Sequence, residues 1–236
     1  MIINPVAIYH GQIPTKFGLP RQSGLADNLC GRIVLLPEYR HGEALRGLEG
    51  FDYIWLIWEF SANDEGKGLT VRPPRLGGNE RIGVFASRSP FRPNRLGLSC
   101  VKLDSIDMTT NEGPVINVRG ADLMDGTPIY DIKPYVAYAD AHPEARSGFV
   151  DSRQWQPLTV VIPDSISAIF SPDEQQALRQ VLSQDPRPHY HDSPERIYGM
   201  PFAGYDVKFM VDGNTLQVID TQLLTINTSK DASNPL

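Results

Sequence analysis

Glycine and proline set the first constraint on this fold. The 236 residues carry 20 of each, more than a globular chain usually has, and they fall between short apolar runs instead of clustering. The longest uninterrupted apolar run is Tyr53–Trp58. Such punctuation disfavours long helices and favours many short strands joined by turns. Candidate strands are Val6–Tyr9, Arg32–Leu36, Tyr53–Phe60, Arg81–Ala86, Leu98–Ile106, Val115–Arg119 and Ile129–Tyr135. Tyr53–Trp58 is β-branched and aromatic and too short for a core helix, so it reads as a strand buried on both faces. Only Glu43–Leu48 offers a helical turn in this half. The pattern predicts a sandwich or barrel and not an alternating βαβ sheet.

The character changes near Tyr138. Residues Ala139–Gln156 are small and polar and read as a linker or loop. Ser171-Pro172-Asp173-Glu174 then combines an N-cap serine, a proline at the first helical position and a glutamate at the third. Ala177, Leu178, Val181 and Leu182 supply one apolar helix face, and Asp185-Pro186 ends it. Tyr205, Val207, Phe209 and Val211 alternate into the turn Asp212-Gly213-Asn214, with Leu216 and Val218 returning as a hairpin. A mainly β unit over residues 1–140 and a small α+β unit over 141–236 follow, with Asn227–Leu236 read as a frayed tail.

Composition narrows the class. The apolar share of 41% supports a packed core, and no run approaches the ~20 residues of a membrane helix. Met1–Pro5 lacks the basic, apolar character of a signal peptide. Two cysteines, Cys30 and Cys100, are too few for a disulfide framework or a zinc site, so a reduced, cytoplasmic setting is expected. His189 and His191 are either chelators or ordinary exposed residues of a proline-rich loop. With the other histidines scattered, no metal is expected. Dinucleotide, Walker, serine-hydrolase and zincin fingerprints are all absent.

Charge is distributed unevenly. The net charge is −6, yet the window from Thr70 to Lys102 holds six arginines and one lysine against Glu80. Its Arg72, Arg75, Arg81, Arg88, Arg92 and Arg95 either pair with distant carboxylates or form an anion- or RNA-binding surface. The loop Gly83–Arg95 sets its arginines among prolines and hydroxyls, which fixes them before any ligand arrives. Asp122 and Asp125 precede Gly126, where they serve either a ligand's cationic or hydroxyl groups or plain turn chemistry. Asp185-Pro186-Arg187-Pro188-His189-Tyr190 immobilises an acid, a guanidinium and a phenol on one short segment.

Together, Pro20-Arg21-Gln22, Arg46–Phe51, Arg72–Gly78, Gly83–Ser99, Asp122–Tyr135 and Asp185–Tyr190 resemble the TrmO family (TsaA-like, YaeB-like). These are S-adenosylmethionine-dependent tRNA methyltransferases, and the resemblance spans nearly the whole chain. It implies a single-sheet β-barrel that forms a homodimer, a methyl donor near the dimer interface and a small C-terminal domain. It also implies methylation of N6 of threonylcarbamoyladenosine at position 37 of the anticodon loop, with a threonine-accepting tRNA as the expected partner.

Carried over, the donor site comprises Pro20, Arg21, Gln22, Ser61, Arg88, Leu98, Ala121, Asp122 and Leu123. Asp185, Arg187 and Tyr190 hold the modified adenosine and serve catalysis, while the charge of the basic window makes Arg72, Arg75, Arg92 and Arg95 the expected RNA contacts. Two positions depart from the family: Ser61 stands where a histidine is common, and Arg95 where proline is common. The rival readings are a non-catalytic RNA-binding or donor-sensing barrel, and a methyltransferase with another substrate.

Overall fold

The computed structural model describes residues 2–63, 68–73, 76, 80–151, 156–187 and 193–224. In the first half the strands are β1 (Ala7–Gly11), β2 (Cys30–Leu35), β3 (Tyr53–Glu59), β4 (Thr70–Val71), β5 (Ile82–Gly83), β6 (Leu96–Asp107), β7 (Val115–Arg119) and β8 (Thr127–Pro134). Six of them close into an antiparallel barrel in the order β1-β2-β7-β6-β3-β8. Closure removes every free sheet edge, which suits a chain whose strands are short and whose breaks are many. Of the two architectures open to the sequence, the barrel is the one formed. Its interior is filled by Ala7, Tyr9, Ile33, Leu35, Ile54, Leu56, Trp58, Val101, Leu103, Ile116, Val118 and Ile129.

Two strand expectations need correction. Strand β3 is not buried on both faces: Ile54, Leu56 and Trp58 point inward, whereas Tyr53 is exposed and Trp55 and Ile57 are half-buried. A barrel buries only its inner face, and among the described residues no helical layer covers the outside of β3. Arg81–Ala86 does not form one strand either. Among the described residues its partner is β4, two residues long, so the ladder ends at Gly83 and Val84–Ala86 tightens into a 3-10 turn. The helical turn near Glu43 is two short 3-10 segments, Gly42–Leu45 and Leu48–Gly50.

After α1 (Ala137–Asp140), residues 141–148 are exposed throughout, as a linker should be. The second half contains β9 (Thr159–Val161), α2 (Asp164–Ser167), α3 (Pro172–Ser183), β10 (Tyr198–Phe202), β11 (Tyr205–Asp212) and β12 (Thr215–Leu223), with a sheet in the order β10-β11-β12-β9. Helix α3 starts as its sequence dictates: Ser171 Oγ accepts from Glu174 N, and Glu174 Oε2 accepts from Ser171 N at 2.9 Å. Its face Ala177, Leu178, Val181 and Leu182 packs on Met200, Phe202, Val207, Phe209, Val211, Leu216 and Val218.

This second core also takes Ile13, Ala26 and Leu29 from the long connection between β1 and β2. Packing therefore crosses the division read from the sequence at residue 140. Polar ties reinforce it: Asn28 N donates to Gln180 Oε1 at 3.0 Å, Ala203 N to Gln12 O at 2.8 Å, and Arg119 of β7 pairs with both Asp104 and Asp173 at 2.9 and 3.1 Å.

Candidate active site

The connection from residue 12 to 29 is held at one end of the barrel by its backbone. Gly24 N donates to Gly120 O at 2.8 Å, Gly120 N to Leu29 O at 2.9 Å, and Asp125 N to Ile13 O at 2.9 Å. These bonds set Pro20-Arg21-Gln22 beside the β7–β8 loop that carries Asp122. Three expected donor-site residues then join one polar cluster. Arg88 Nη1 donates to Gln22 Oε1. Asp122 accepts from Ser99 Oγ at 2.5 Å and from Ser23 N, and it lies in the field of Arg88. Burial pushes the Asp122 carboxyl above the usual carboxylate range; these bonds and the Arg88 charge pull the other way without cancelling it.

The remaining donor-site expectations are placed differently from one another. Leu98 is 58% exposed on the outer face of β6. Ala121 and Leu123 flank Asp122 but have side chains wholly within the barrel core, and Pro20 is buried too. Through these three only backbone atoms can reach a ligand. Ser61 is exposed in the turn after β3. Its neighbour Ala62 O accepts from Lys16 Nζ at 2.7 Å, which ties that turn to the donor loop.

On the other side of the same loop lies a cavity of about 240 Å³. Lys16, Phe17 and Arg21 line one wall, and Gln184, Asp185 and Arg187 line the other. Asp185 follows helix α3 with φ 50°, a left-handed conformation that turns the chain sharply toward the loop. Arg187 grips it with two bonds, Nε to Oδ1 at 2.8 Å and Nη2 to Oδ2 at 2.9 Å. Tyr190 lies outside the described residues. A larger concavity of about 430 Å³ on the outer wall of β6, bounded by Tyr53, Cys100, Lys102 and Arg119, contains none of the expected site residues.

The arginines of the basic window differ in circumstance. Arg72 is exposed, and Arg75 lies outside the described residues. Arg92 braces its own loop through Ser87 O at 3.1 Å, with no carboxylate partner among the described residues. Arg95 pairs with Glu59 at 2.8 Å and donates to Asn63 O at 3.1 Å, and Glu59 also accepts from Tyr130 OH at 2.6 Å. A phosphate contact from Arg95 would have to displace that carboxylate, so of the two readings left open for these arginines Arg95 takes the pairing with a distant carboxylate.

Sequence reasoning overlooked Lys16, Trp58 and Ser99. Trp58 Nε1 donates to Ser99 Oγ at 2.9 Å, so Ser99 links the barrel core to Asp122. A signal for it existed. Ser99 is a polar residue in the inward register of β6, between Gly97 and Val101.

Comparison with known proteins bears on this arrangement. Residues 8–141 match the tRNA-methyltransferase O N-terminal domain, and residues 156–223 match the TrmO C-terminal domain. The chain belongs to the TrmO family. The tRNA (adenine(37)-N6)-methyltransferase of Escherichia coli K12 is 35% identical over 215 residues, covering 87% of this chain and 91% of that one. A Pseudomonas aeruginosa relative whose name describes an S-adenosylmethionine-dependent methyltransferase is 39% identical over 216 residues, 87% of this chain and 90% of its own. A crystal structure of TrmO from P. aeruginosa superposes with a TM-score of 0.75 at 31% identity, covering 94% of this chain and 97% of the other. The TrmO fold and its two-part order are thus present along almost the whole chain.

Proposed function

We propose that this chain transfers the methyl group of S-adenosylmethionine to N6 of adenine 37 of tRNA, and that the adenine it takes carries the threonylcarbamoyl group. One observation carries the reading at the level of the site. The loop bearing Gln22, tied to Arg88 in the Asp122 cluster, also bears Arg21, which lines one cavity with Asp185 and Arg187. A polar cluster suited to the donor and a cavity suited to the acceptor, joined through one short loop, fit an in-line transfer, where positioning supplies much of the rate.

S-adenosylmethionine, when bound, supplies an electrophilic methyl on a cationic sulfonium and an amino-acid end. Asp122 answers its positive charge, Gln22, Arg88 and the backbone at Ala121 and Leu123 answer its polar groups, and Pro20, Leu98 and Ser61 bound the pocket. The acceptor cavity has Lys16, Arg21 and Arg187 against Asp185, a cationic balance suited to the carboxylate of a threonyl group. Asp185 orients or takes the N6 proton, Arg187 steadies it and the carboxylate, and Tyr190 stacks on the base. Arg72, Arg75 and Arg92 meet phosphates, with Arg95 behind them. A homodimer across the exposed Leu98 face, threonine-accepting tRNAs and a cytoplasmic setting complete the proposal. Among the described residues no helix is long and apolar enough to cross a membrane.

The test is transfer of labelled methyl to two tRNA preparations, one containing and one lacking threonylcarbamoyladenosine, with nucleoside analysis of the product. Methyl on the modified base alone is the expected result. Equal methylation of both would remove the threonylcarbamoyl requirement. Donor binding without transfer would favour a sensing or RNA-binding role, or another acceptor.

A further inference from the structure

Trp58 and Ser99 are not among the expected site residues, yet both lead to Asp122. The cause is a pairing of large against small across the barrel. Trp58 of β3 lies opposite Gly97 of β6, and a Cβ on Gly97 would come within 2.3 Å of the indole. The ring therefore lies flat over the glycine. Its Nε1 reaches the next inward residue of β6, Ser99, which is 1% exposed. An indole nitrogen can only donate. Ser99 Oγ must accept that proton, and its own hydroxyl hydrogen is directed to Asp122 Oδ1, 2.5 Å away.

We propose that Ser99, its hydroxyl oriented by Trp58, is a positioning residue of the methyl-donor site whose hydrogen bond keeps the Asp122 carboxylate ionised to meet the donor's cationic end. The inference rests on the reading of Asp122 as a donor-binding group. Its physical content is a fixed donor aimed at a buried carboxylate, which favours the charged form where burial opposes it. Two other titratable groups act on Asp122: Arg88, from the loop after β5, and Tyr9, on β1. The buried Tyr9 phenol stays neutral from pH 5 to 9, because burial raises it above its ordinary value. His10 is bonded to Asp125 at 3.2 Å and not to Asp122.

The sign follows. Donor binding needs Asp122 ionised, so affinity falls as pH drops through its pKa. Loss of the Ser99 hydroxyl raises that pKa and moves the fall to higher pH, by about one unit for one charge-assisted bond. Calorimetric titration with S-adenosylmethionine from pH 5 to 9 tests this on the wild type, Ser99→Ala, Ser99→Thr and Asp122→Asn. The ligand's own titration is common to all four.

Expected are near wild-type affinity of Ser99→Ala at the alkaline end, an acid-side fall displaced upward by about one pH unit, and restoration in Ser99→Thr. Asp122→Asn should be weak throughout and lack that fall. If Ser99→Ala does not fold, Trp58→Phe carries the same test, with a smaller displacement in the same direction because the hydroxyl is kept but no longer steered. Superimposable profiles for Ser99→Ala and wild type, or a loss equal at every pH, overturn the role of Ser99 while leaving Asp122 in the site. Wild-type binding by Asp122→Asn overturns the donor reading itself, and the inference with it.

Discussion

Arg95 and Arg187 both read in sequence as cations suited to an anionic ligand, and both meet carboxylates in the fold. Arg187 finds its partner two residues away, and the pair Asp185–Arg187 was visible as a cluster, although not as a two-bond grip. Arg95 finds Glu59, 36 residues earlier, across the end of the barrel. No local pattern announces such a partner, because closure of the barrel creates it. The difference is testable through salt. Each arginine that neutralises a phosphate contributes about 0.9 to the slope of log affinity against log salt on duplex and about 0.7 on single strands. Arg72→Ala should flatten the slope for tRNA by nearly one such step. Arg95→Ala should leave it almost unchanged, since its charge is already matched by Glu59. Filter binding across a salt series distinguishes them, and an equal drop for both would return Arg95 to the RNA surface. At Asp185 the expectation concerns chemistry. Asp185→Asn keeps the shape but loses the charge that grips Arg187, so methyl turnover should fall at least tenfold with donor affinity intact. A parallel loss of donor affinity would sink the acceptor-side role.

Elements were legible where the signal is local and illegible where a partner decides. The capping box of α3, its apolar face and the β11–β12 hairpin all depend on residues within a few positions, and each stands where its pattern put it. Strand β3 was placed correctly, but its outer face could not be assigned, since six residues of unbroken apolarity conceal the alternation that the barrel imposes. Arg81–Ala86 has strand composition throughout, and only the brevity of β4 stops it. Two substitutions measure these elements. Ser171→Ala removes the hydroxyl that accepts from Glu174 N at the start of α3, leaving only Ser171 N to donate to the Glu174 carboxylate, and should cost about 1 kcal/mol in urea unfolding. Gly97→Ala places a methyl against the Trp58 ring, which is buried and cannot swing away. The cost should be about 1–3 kcal/mol, and a melting temperature within experimental error of wild type would show that β3 and β6 have more room than their pairing indicates.

At the scale of the molecule the connection between β1 and β2 matters more than its lack of regular structure implies. It belongs to the barrel by sequence, yet it places Ile13, Ala26 and Leu29 in the core of the C-terminal sheet and helix. Composition marks the linker near residue 140 clearly, but it cannot reveal that a segment over a hundred residues upstream completes the second core. Two linked units, each with its own core, would melt separately; two cores joined through one shared segment should melt together. Differential scanning calorimetry should therefore give a single transition, and two resolved peaks would mean that the shared packing is weak. Gly18 sharpens the test. Its φ of 93° is one that other residues rarely adopt, and a Cβ there would lie 2.4 Å from the sulfur of Met200 in β10. Gly18→Ala combines backbone strain of about 1–3 kcal/mol with displacement of the loop from the C-terminal sheet. Because that loop carries Arg21 into the acceptor cavity and Gln22 toward Arg88, the variant should weaken S-adenosylmethionine and tRNA binding together, beyond what its lowered melting temperature accounts for at the assay temperature. Loss of stability with both affinities preserved would separate the fold's seam from its chemistry and leave the loop a packing element alone.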